Sequence, residues 1–276
     1  MSGKGSESGH LMLITPERVF YAGLLGRPRR RSLGAFAAYV AIKGELRLTV
    51  EGAGERFGEL AVVAPNLPHT VASEHRTAIC VLIEPETVCA GALDLLARRL
   101  SGTERQSFSS RIRAAYQQLQ RRGGDIVGTA LDVMCFGEAL PCRPLDLRVA
   151  RAIARMRQFS GDPVTATSCA LETGLSSSRF LHLFKHETGI SFRSLRAWKR
   201  ARHLLHFANQ DINLARLAQE IGYPDSTHFS HSIKRFYGLK PRSIFSGSRD
   251  LAIYCCGEIA TGDSEWTQES RGLPSA

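Results

Sequence analysis

The sequence has 276 residues, of which 43% are hydrophobic, enough for two globular domains that each bury a core. Its apolar runs are too short to span a bilayer, its first ten residues lack a secretory signal, and its seven cysteines show no metal-binding or disulfide spacing. We therefore expect a cytoplasmic protein without membrane contact, metal or cofactor. The net charge of +10, from 36 Lys and Arg against 26 Asp and Glu, favours a polyanionic partner.

Residues 18–84 have the pattern of short strands separated by Gly and Pro turns. The apolar or alternating runs cover residues 36–42, 45–50, 61–64 and 78–83. The stretch Ala-Pro-Asn-Leu-Pro-His-Thr-Val at 64–71 resembles the start of a late strand in small cupin-like barrels. We therefore predict a cupin-like β-barrel in the N-terminal half.

The polar residues of this region do not form a cupin metal site. Such a site needs two closely spaced His, a Glu and a further His, whereas the region contains only His69 and His75. His69 is either a turn residue or part of a ligand pocket. The run Arg29, Arg30 and Arg31 is either a solvated basic loop or the rim of a pocket for an anionic ligand.

Residues 87–140 are predicted to be helical. Ile112, Tyr116 and Leu119 recur at helical spacing and are followed by Gly123-Gly124, which is typical of a helix that covers a barrel. The segment Leu-Pro-Cys-Arg-Pro-Leu at 140–145 contains two prolines that interrupt this pattern, so we interpret it as a linker. The predicted sensor and dimerisation domain is therefore 1–143.

The next hundred residues carry both the positive charge and an internal repeat. Residues 145–245 contain 16 Lys and Arg against 7 Asp and Glu. Ala-x-x-x-Gly begins at Ala170 and again at Ala218, followed each time by Phe-x-x-x-apolar-Lys and Gly-apolar-x-x-Arg-Ser-apolar. Two copies in the same order indicate a duplicated structural unit.

Each copy has the features of a helix-turn-helix. The small Ala permits close helix packing, Gly174 and Gly222 permit positive φ at the corner, and polar residues after each corner supply N-caps. Phe180/Phe184 and Phe229/Ile233 place an apolar pair at i, i+4 on the second helix. Between the copies, one long helix is predicted, with basic residues opposite an apolar stripe formed by Leu195, Trp198, Ala201, Leu204, Leu205 and Ala208.

These residues resemble the AraC/XylS family of bacterial transcription regulators over roughly residues 146–245. The second copy follows the family signature from Leu214 to Pro241 nearly throughout, whereas in the first copy Phe192 replaces a usual proline and Ala197 a usual arginine. The resemblance implies an α+β protein with two domains, the second an all-α DNA-binding domain at 144–246. It also implies a homodimer, double-stranded DNA and RNA polymerase as partners, and a small-molecule effector. The acidic segment 247–276 is expected to be a flexible tail.

Family positions carried onto this chain give two sets of DNA-contacting residues. The predicted base-reading residues are Ser178, Leu181, His182, Thr227, Ser230 and His231. The predicted backbone contacts are Arg179, Lys185, Arg193, Arg196, Arg200, Lys234, Lys240 and Arg242. Because Ser, Thr and His give weaker base contacts than Arg or Asn, we expect DNA shape to contribute to specificity.

We therefore predict a sequence-specific transcription regulator, more commonly an activator in this family, that is modulated by its N-terminal domain and is not an enzyme. One alternative is a metal-dependent cupin enzyme fused to a DNA-binding unit. Another is a DNA-binding protein that responds to no ligand and is controlled by its abundance alone.

Overall fold

The computed structural model describes residues 9–123, 126, 129–158, 164–246 and 250–256. The strands in these ranges are β1 (His10–Ile14), β2 (Arg18–Leu24), β3 (Phe36–Ala41), β4 (Leu46–Val50), β5 (Gly54–Gly58), β6 (Leu60–Val63), β7 (His69–Ser73), β8 (Thr77–Ile83) and β9 (Leu251–Cys255). The helices are α1 (Ala90–Ser101), α2 (Arg105–Arg122), α3 (Ala130–Phe136), α4 (Leu147–Gln158), α5 (Ala166–Glu172), α6 (Ser177–Thr188), α7 (Phe192–His203), α8 (Leu214–Glu220), α9 (Ser226–Tyr237) and α10 (Pro241–Ser246). Short 3-10 turns cover Pro85–Thr87 and Leu204–Phe207.

The predicted α+β fold with a β-rich N-terminal domain and a helical C-terminal domain is confirmed. The N-terminal strands, however, form two sheets and not a closed barrel. One sheet has six strands in the order β6-β3-β8-β2-β1-β9, and the other has three in the order β5-β4-β7. Closure would require a continuous hydrogen-bonded ladder, and no ladder between the described strands joins the edges of the two sheets.

The six-stranded sheet is buried on both faces, which explains its nearly continuous apolar strands. Along β8, Ile79, Val81 and Ile83 pack into a core with α1, α2 and α3. The intervening Cys80 and Leu82 point to the opposite face, where they share a core with the three-stranded sheet and the C-terminal helices. The alternation of side chains along a strand thus places α1–α3 on one side of the sheet and the C-terminal helices on the other.

The predicted covering helix is α2, in which Ile112 and Leu119 are completely buried. The segment predicted as the linker runs in extended form beside the start of α1, where Val88 and Cys142 form an isolated bridge. The domain boundary at residue 143 remains a prediction.

The expectation of a loose C-terminal tail is wrong for β9. This strand pairs in parallel with β1, from His10 with Leu251 to Ile14 with Cys255. Leu251 is buried in the core that the sheets share with the C-terminal helices. The apolar run Leu-Ala-Ile-Tyr-Cys was not predicted as a strand, because it is short and lies in a segment whose overall composition is acidic. Residues 257–276 of the predicted tail lie outside the described part of the chain.

Candidate nucleic-acid interface

Two helix-turn-helix units occupy the C-terminal domain, one formed by α5 and α6 and the other by α8 and α9. Ala170 and Ala218 are buried where the two helices of each unit pack together. The corner glycines have positive φ, +64° at Gly174 and +82° at Gly222, a conformation that side chains with a Cβ rarely adopt. The spacing in the sequence therefore predicted both corners correctly.

The N-caps of the two second helices differ in strength. Ser176 accepts one hydrogen bond, from the backbone N–H of Arg179, at 3.4 Å. Asp225 Oδ1 accepts two, from the N–H groups of Thr227 and His228, both at 2.8 Å, and its Oδ2 pairs with His228 Nδ1. Helix α9 consequently starts from a better-satisfied cap than α6.

Aromatic cores hold both units together. In the first, Phe180, Phe184 and Phe192 are mutually packed, with centroid separations of 5.2 to 6.0 Å. In the second, Phe229 packs edge-on against Tyr223 at 5.3 Å. The apolar i, i+4 pairs of α6 and α9 face inward, so the remaining sides of these two helices are left for solvent.

The outward sides of α6 and α9 carry the side chains predicted to read bases. Ser178, Leu181 and His182 are exposed on α6. Thr227 and His231 are exposed on α9, and Ser230 between them is half-buried. Each set lies on one side of its helix at i, i+3 and i+4, and the set on α6 includes the apolar Leu181, which is 40% exposed.

Six of the eight predicted backbone contacts are exposed, namely Arg179, Lys185, Arg193, Lys234, Lys240 and Arg242. The other two are half-buried and engaged within the protein. Arg196 Nη1 donates to the carbonyl of Val164 at 2.7 Å. The guanidinium of Arg200 lies 6.0 Å from the centre of the Tyr223 ring, and burial lowers its pKa.

The connecting helix is α7, which tightens into a 3-10 turn, and its predicted apolar stripe is buried throughout. Two of the basic residues of this helix, Lys199 and Arg202, are buried as well, at 3% and 7% exposed. Both point towards two glutamates of the N-terminal domain. Periodicity could not reveal this contact, because the glutamates are more than a hundred residues away in the sequence.

These glutamates, Glu84 and Glu86, form a buried ionic cluster with α7. The Trp198 indole N–H donates to Glu84 Oε1 at 3.0 Å, and Arg202 Nε lies 2.9 Å from the same oxygen without the alignment of a hydrogen bond. Lys199 Nζ contacts both carboxylates. Burial opposes ionisation of Glu86, but the Lys199 ammonium outweighs it, so the pKa of Glu86 lies below its ordinary value. The cluster therefore joins the connecting helix to the N-terminal domain through oppositely charged side chains.

A cavity of about 360 Å³ lies between the two domains. Strands β1, β2, β3 and β8 contribute Met12, Val19, Tyr39 and Leu82, and the C-terminal domain contributes Leu205, Tyr237, Leu239 and Ile244. Arg27, Arg29 and Arg31 also line it. The wall is thus apolar over most of its area, with cations concentrated on the loop between β2 and β3.

Arg31 is buried in this wall, only 9% exposed, and its Nε and Nη2 have no hydrogen-bond partner. Its backbone is fixed by two hydrogen bonds with His69, at 2.8 and 2.9 Å. A buried guanidinium with unused donors is energetically unfavourable unless an anion satisfies it. Two other residues of the predicted pocket do not line the cavity. Arg30 pairs with Glu51 on the surface, and His69 lies behind the cavity wall.

His69 supports the cavity indirectly. Its Nε2 lies 2.9 Å from the hydroxyl of Tyr39, a residue that lines the cavity, and its Nδ1 lies 2.8 Å from the carbonyl of Leu67. Burial lowers the pKa of His69 to about 4, so the ring is neutral at pH 7. Both ring nitrogens are thus already engaged within the protein.

Two features are absent from the described residues. No group of three or more His, Cys, Asp or Glu side chains in these ranges is arranged to hold a metal ion. None of the helices in the same ranges is both long and apolar enough to cross a membrane.

Comparisons with known proteins agree with this geometry. A family described as a helix-turn-helix domain matches residues 169–246. The invasion protein InvF of Salmonella typhi is 35% identical over 72 residues, which are 26% of this chain and 33% of InvF. This chain therefore spans about a third of the length of the curated relatives it matches.

Two solved structures are similar at lower identity. ToxT from Vibrio cholerae has 11% identity and a TM-score of 0.49, covering 83% of this chain and 98% of ToxT. The C-terminal domain of AraT from Geobacillus stearothermophilus has 24% identity and a TM-score of 0.35, covering 37% of this chain and 87% of that domain.

Two helix-turn-helix units joined by a buried helix define the C-terminal half as a double helix-turn-helix DNA-binding domain. The family match over residues 169–246 and the similarity to InvF agree with the resemblance of this domain to the AraC/XylS family of transcription regulators.

Proposed function

We propose that this protein regulates transcription in the cytoplasm by binding promoter DNA through both helix-turn-helix units, under the control of a ligand in the interdomain cavity. DNA binding is supported above all by the polar residues on the outward sides of α6 and α9, which are presented by two repeats of the same unit. In the proposed complex these sides of the two helices enter successive major grooves, about 34 Å apart along one face of the duplex.

Individual side chains have different roles in this proposal. Ser178, Leu181 and His182 read bases in one half-site, and Thr227, Ser230 and His231 read the other. The exposed cations beside them bind phosphates and set the register of the protein on the duplex. The half-buried Arg196 and Arg200 orient the ends of α7, and their contribution to phosphate binding is smaller than the sequence alone indicates.

The test is genomic footprinting of the full chain, followed by affinity measurements on the recovered sites and on variants at single base pairs. Replacing His231 by Ala is expected to alter the preference at one base pair by about 1–3 kcal/mol. Arg242→Ala is expected to weaken binding to all sequences alike. Equal losses on every sequence for His231→Ala would contradict its assignment as a base-reading residue.

The regulatory part of the proposal depends on Arg31. An effector that fits the cavity has an apolar body, matching the aliphatic and aromatic wall, and one anionic group that accepts hydrogen bonds from the unused Nε and Nη2 of Arg31. Because the wall is contributed by both domains, such a ligand changes how firmly they are held together.

Arg31→Met tests the effector site because it keeps the length of the side chain and removes the unsatisfied charge. Without ligand, this variant is expected to be more stable by about 1–3 kcal/mol in urea unfolding. Straight-chain alkyl carboxylates are expected to raise the melting temperature of the wild type, whereas the corresponding alcohols and the Arg31→Met variant show little effect. Arg56→Met, at an exposed position on β5, is the matched control. If carboxylates stabilise both variants equally, Arg31 is not the anchor.

Three further features of the proposal follow the family. We propose that the protein activates transcription, that it contacts RNA polymerase, and that it acts as a homodimer. Run-off transcription on a footprinted promoter and sedimentation of the purified chain test these features separately from DNA binding.

A further inference from the structure

The loop between β2 and β3 carries three exposed arginines, Arg27, Arg29 and Arg30, which we call the arginine loop (residues 27–30). Its backbone is fixed against the end of α9. The N–H of Ser32 donates to the carbonyl of Arg235 at 2.9 Å. At Gly238, an added Cβ would lie 3.0 Å from the carbonyl oxygen of Arg30, so the two segments touch without room for a side chain.

The loop lies on the side of α9 that reads DNA in the proposed complex. Successive residues of an α-helix are rotated by about 100° and rise about 1.5 Å. Gly238 follows His231 by seven residues, so it lies within about 20° of His231 around the helix axis and about 10 Å further along it. The arginine loop covers Gly238. It therefore lies beyond the C-terminal end of α9, on the same side of the helix as Thr227, His231 and Lys234.

Charge on the loop is available for a partner. Within the described ranges, Arg27 and Arg29 have no carboxylate within ion-pairing distance, and Arg30 shares Glu51 in a pair in which both side chains are about two-thirds exposed. Lys234, Lys240 and Arg242 are exposed on the adjoining segments. Cations beyond the end of a helix that occupies the major groove are placed to meet the phosphates that border that groove.

We propose that the arginine loop of the N-terminal domain binds the DNA backbone at the flank of the half-site read by α9. This inference rests on the proposed DNA-binding function and adds a second domain to the DNA-binding surface. The sensor domain thus contributes affinity itself, independent of base sequence, and the second half-site has a longer backbone footprint than the first.

The experiment compares two double variants of the full chain. Arg27→Gln with Arg29→Gln removes two charges from the loop. Arg98→Gln with Arg121→Gln removes two exposed charges from α1 and α2, on the opposite face of the six-stranded sheet. Affinity for a duplex of about three helical turns is measured against salt concentration, without added ligand, because Arg27 and Arg29 also line the cavity.

Each phosphate contact contributes about 0.9 to the slope of log K against log salt. The loop variant is expected to reduce the magnitude of that slope by about 1–2, and to shorten the protected backbone at one end of the footprint by a few nucleotides. The α1–α2 variant is expected to match the wild type in both measurements.

Equal reductions in both variants, or in neither, would overturn the role of the loop. A wild-type chain that binds no duplex would instead refute the proposed function, so the two failures are distinguishable. Melting temperatures of the two double variants, expected to equal that of the wild type, exclude loss of folding as the cause.

Discussion

The two helix-turn-helix units repeat one design, but different parts of the molecule hold them. Helix α6 ends at the linker, where the carbonyl of Glu187 accepts from Arg143 Nη1 at 2.9 Å and its carboxylate accepts from the N–H of Asp146 at 3.0 Å. Helix α9 ends against the N-terminal domain, where the carbonyl of Arg235 accepts from the N–H of Ser32. The second unit is therefore in contact with the segment that carries the cavity-lining arginines, and the first is in contact with the linker.

Both units share α7, and this helix is fixed to the sensor domain. The buried cluster around Glu84 and Glu86 holds its polar side, and Gly34 permits close packing on Trp198, which would overlap any larger residue at position 34. The sequence repeat thus sets the internal fold of each unit, whereas residues outside the repeat determine which part of the molecule each unit contacts.

The largest expected effect is that of Glu84→Ala, which removes the contact common to both units. Lys199 and Arg202 would remain buried without this carboxylate partner, at a cost of about 3–5 kcal/mol in the free energy of unfolding. Urea unfolding measures it. Glu45→Ala, at an exposed position in the same domain, is the control and is expected to change stability by less than about 0.5 kcal/mol. Similar values for both would show that the cluster does not anchor α7.

The next effect separates the ends of the two recognition helices. Gly189 and Gly238 cap α6 and α9 with almost equal φ, +72° and +70°, but only Gly238 is in contact with the arginine loop. Gly189→Ala is expected to cost about 1–2 kcal/mol from backbone strain alone. Gly238→Ala adds the overlap with Arg29 and Arg30, and is expected to cost about 1–3 kcal/mol more.

Thermal or urea unfolding of these two variants gives the difference directly. Equal losses would mean that the end of α9 does not dock on the sensor domain in solution, which would also weaken the inference about the arginine loop.

The smallest effect concerns the starts of the same helices. Asp225→Ala is expected to destabilise the protein by about 1–2 kcal/mol, because two backbone N–H groups and His228 lose their acceptor. Ser176→Ala removes a single long hydrogen bond and is expected to cost about 0.5 kcal/mol. A larger loss for Ser176→Ala, measured by urea unfolding, would contradict the ranking of the two caps.

The sequence predicted those features that depend on neighbours along the chain. Gly174 and Gly222 have the positive φ that their spacing indicated, and the apolar stripe of α7 is buried. Each helix-turn-helix unit can be predicted in this way because helical periodicity and capping depend on residues that are only a few turns apart in the sequence.

Features formed by distant segments were missed. The burial of Lys199 and Arg202 depends on Glu84 and Glu86, and β9 forms only because β1 offers a free edge. The tail predicted over 247–276 was wrong at residues 251–255 for this reason. No sequence feature distinguishes the buried Arg31 from its exposed neighbours Arg29 and Arg30, because their difference arises from the bridge between Arg31 and His69.

The most direct test of the account is hydroxyl-radical footprinting of the full chain on a recovered genomic site. We expect two protected segments on one face of the duplex, centred about one helical turn apart. A Thr227→Ala, His231→Ala double variant is expected to lose protection selectively in one of them. A single protected segment would contradict binding through two units. The same holds if one concentration of random competitor DNA abolishes protection at every site.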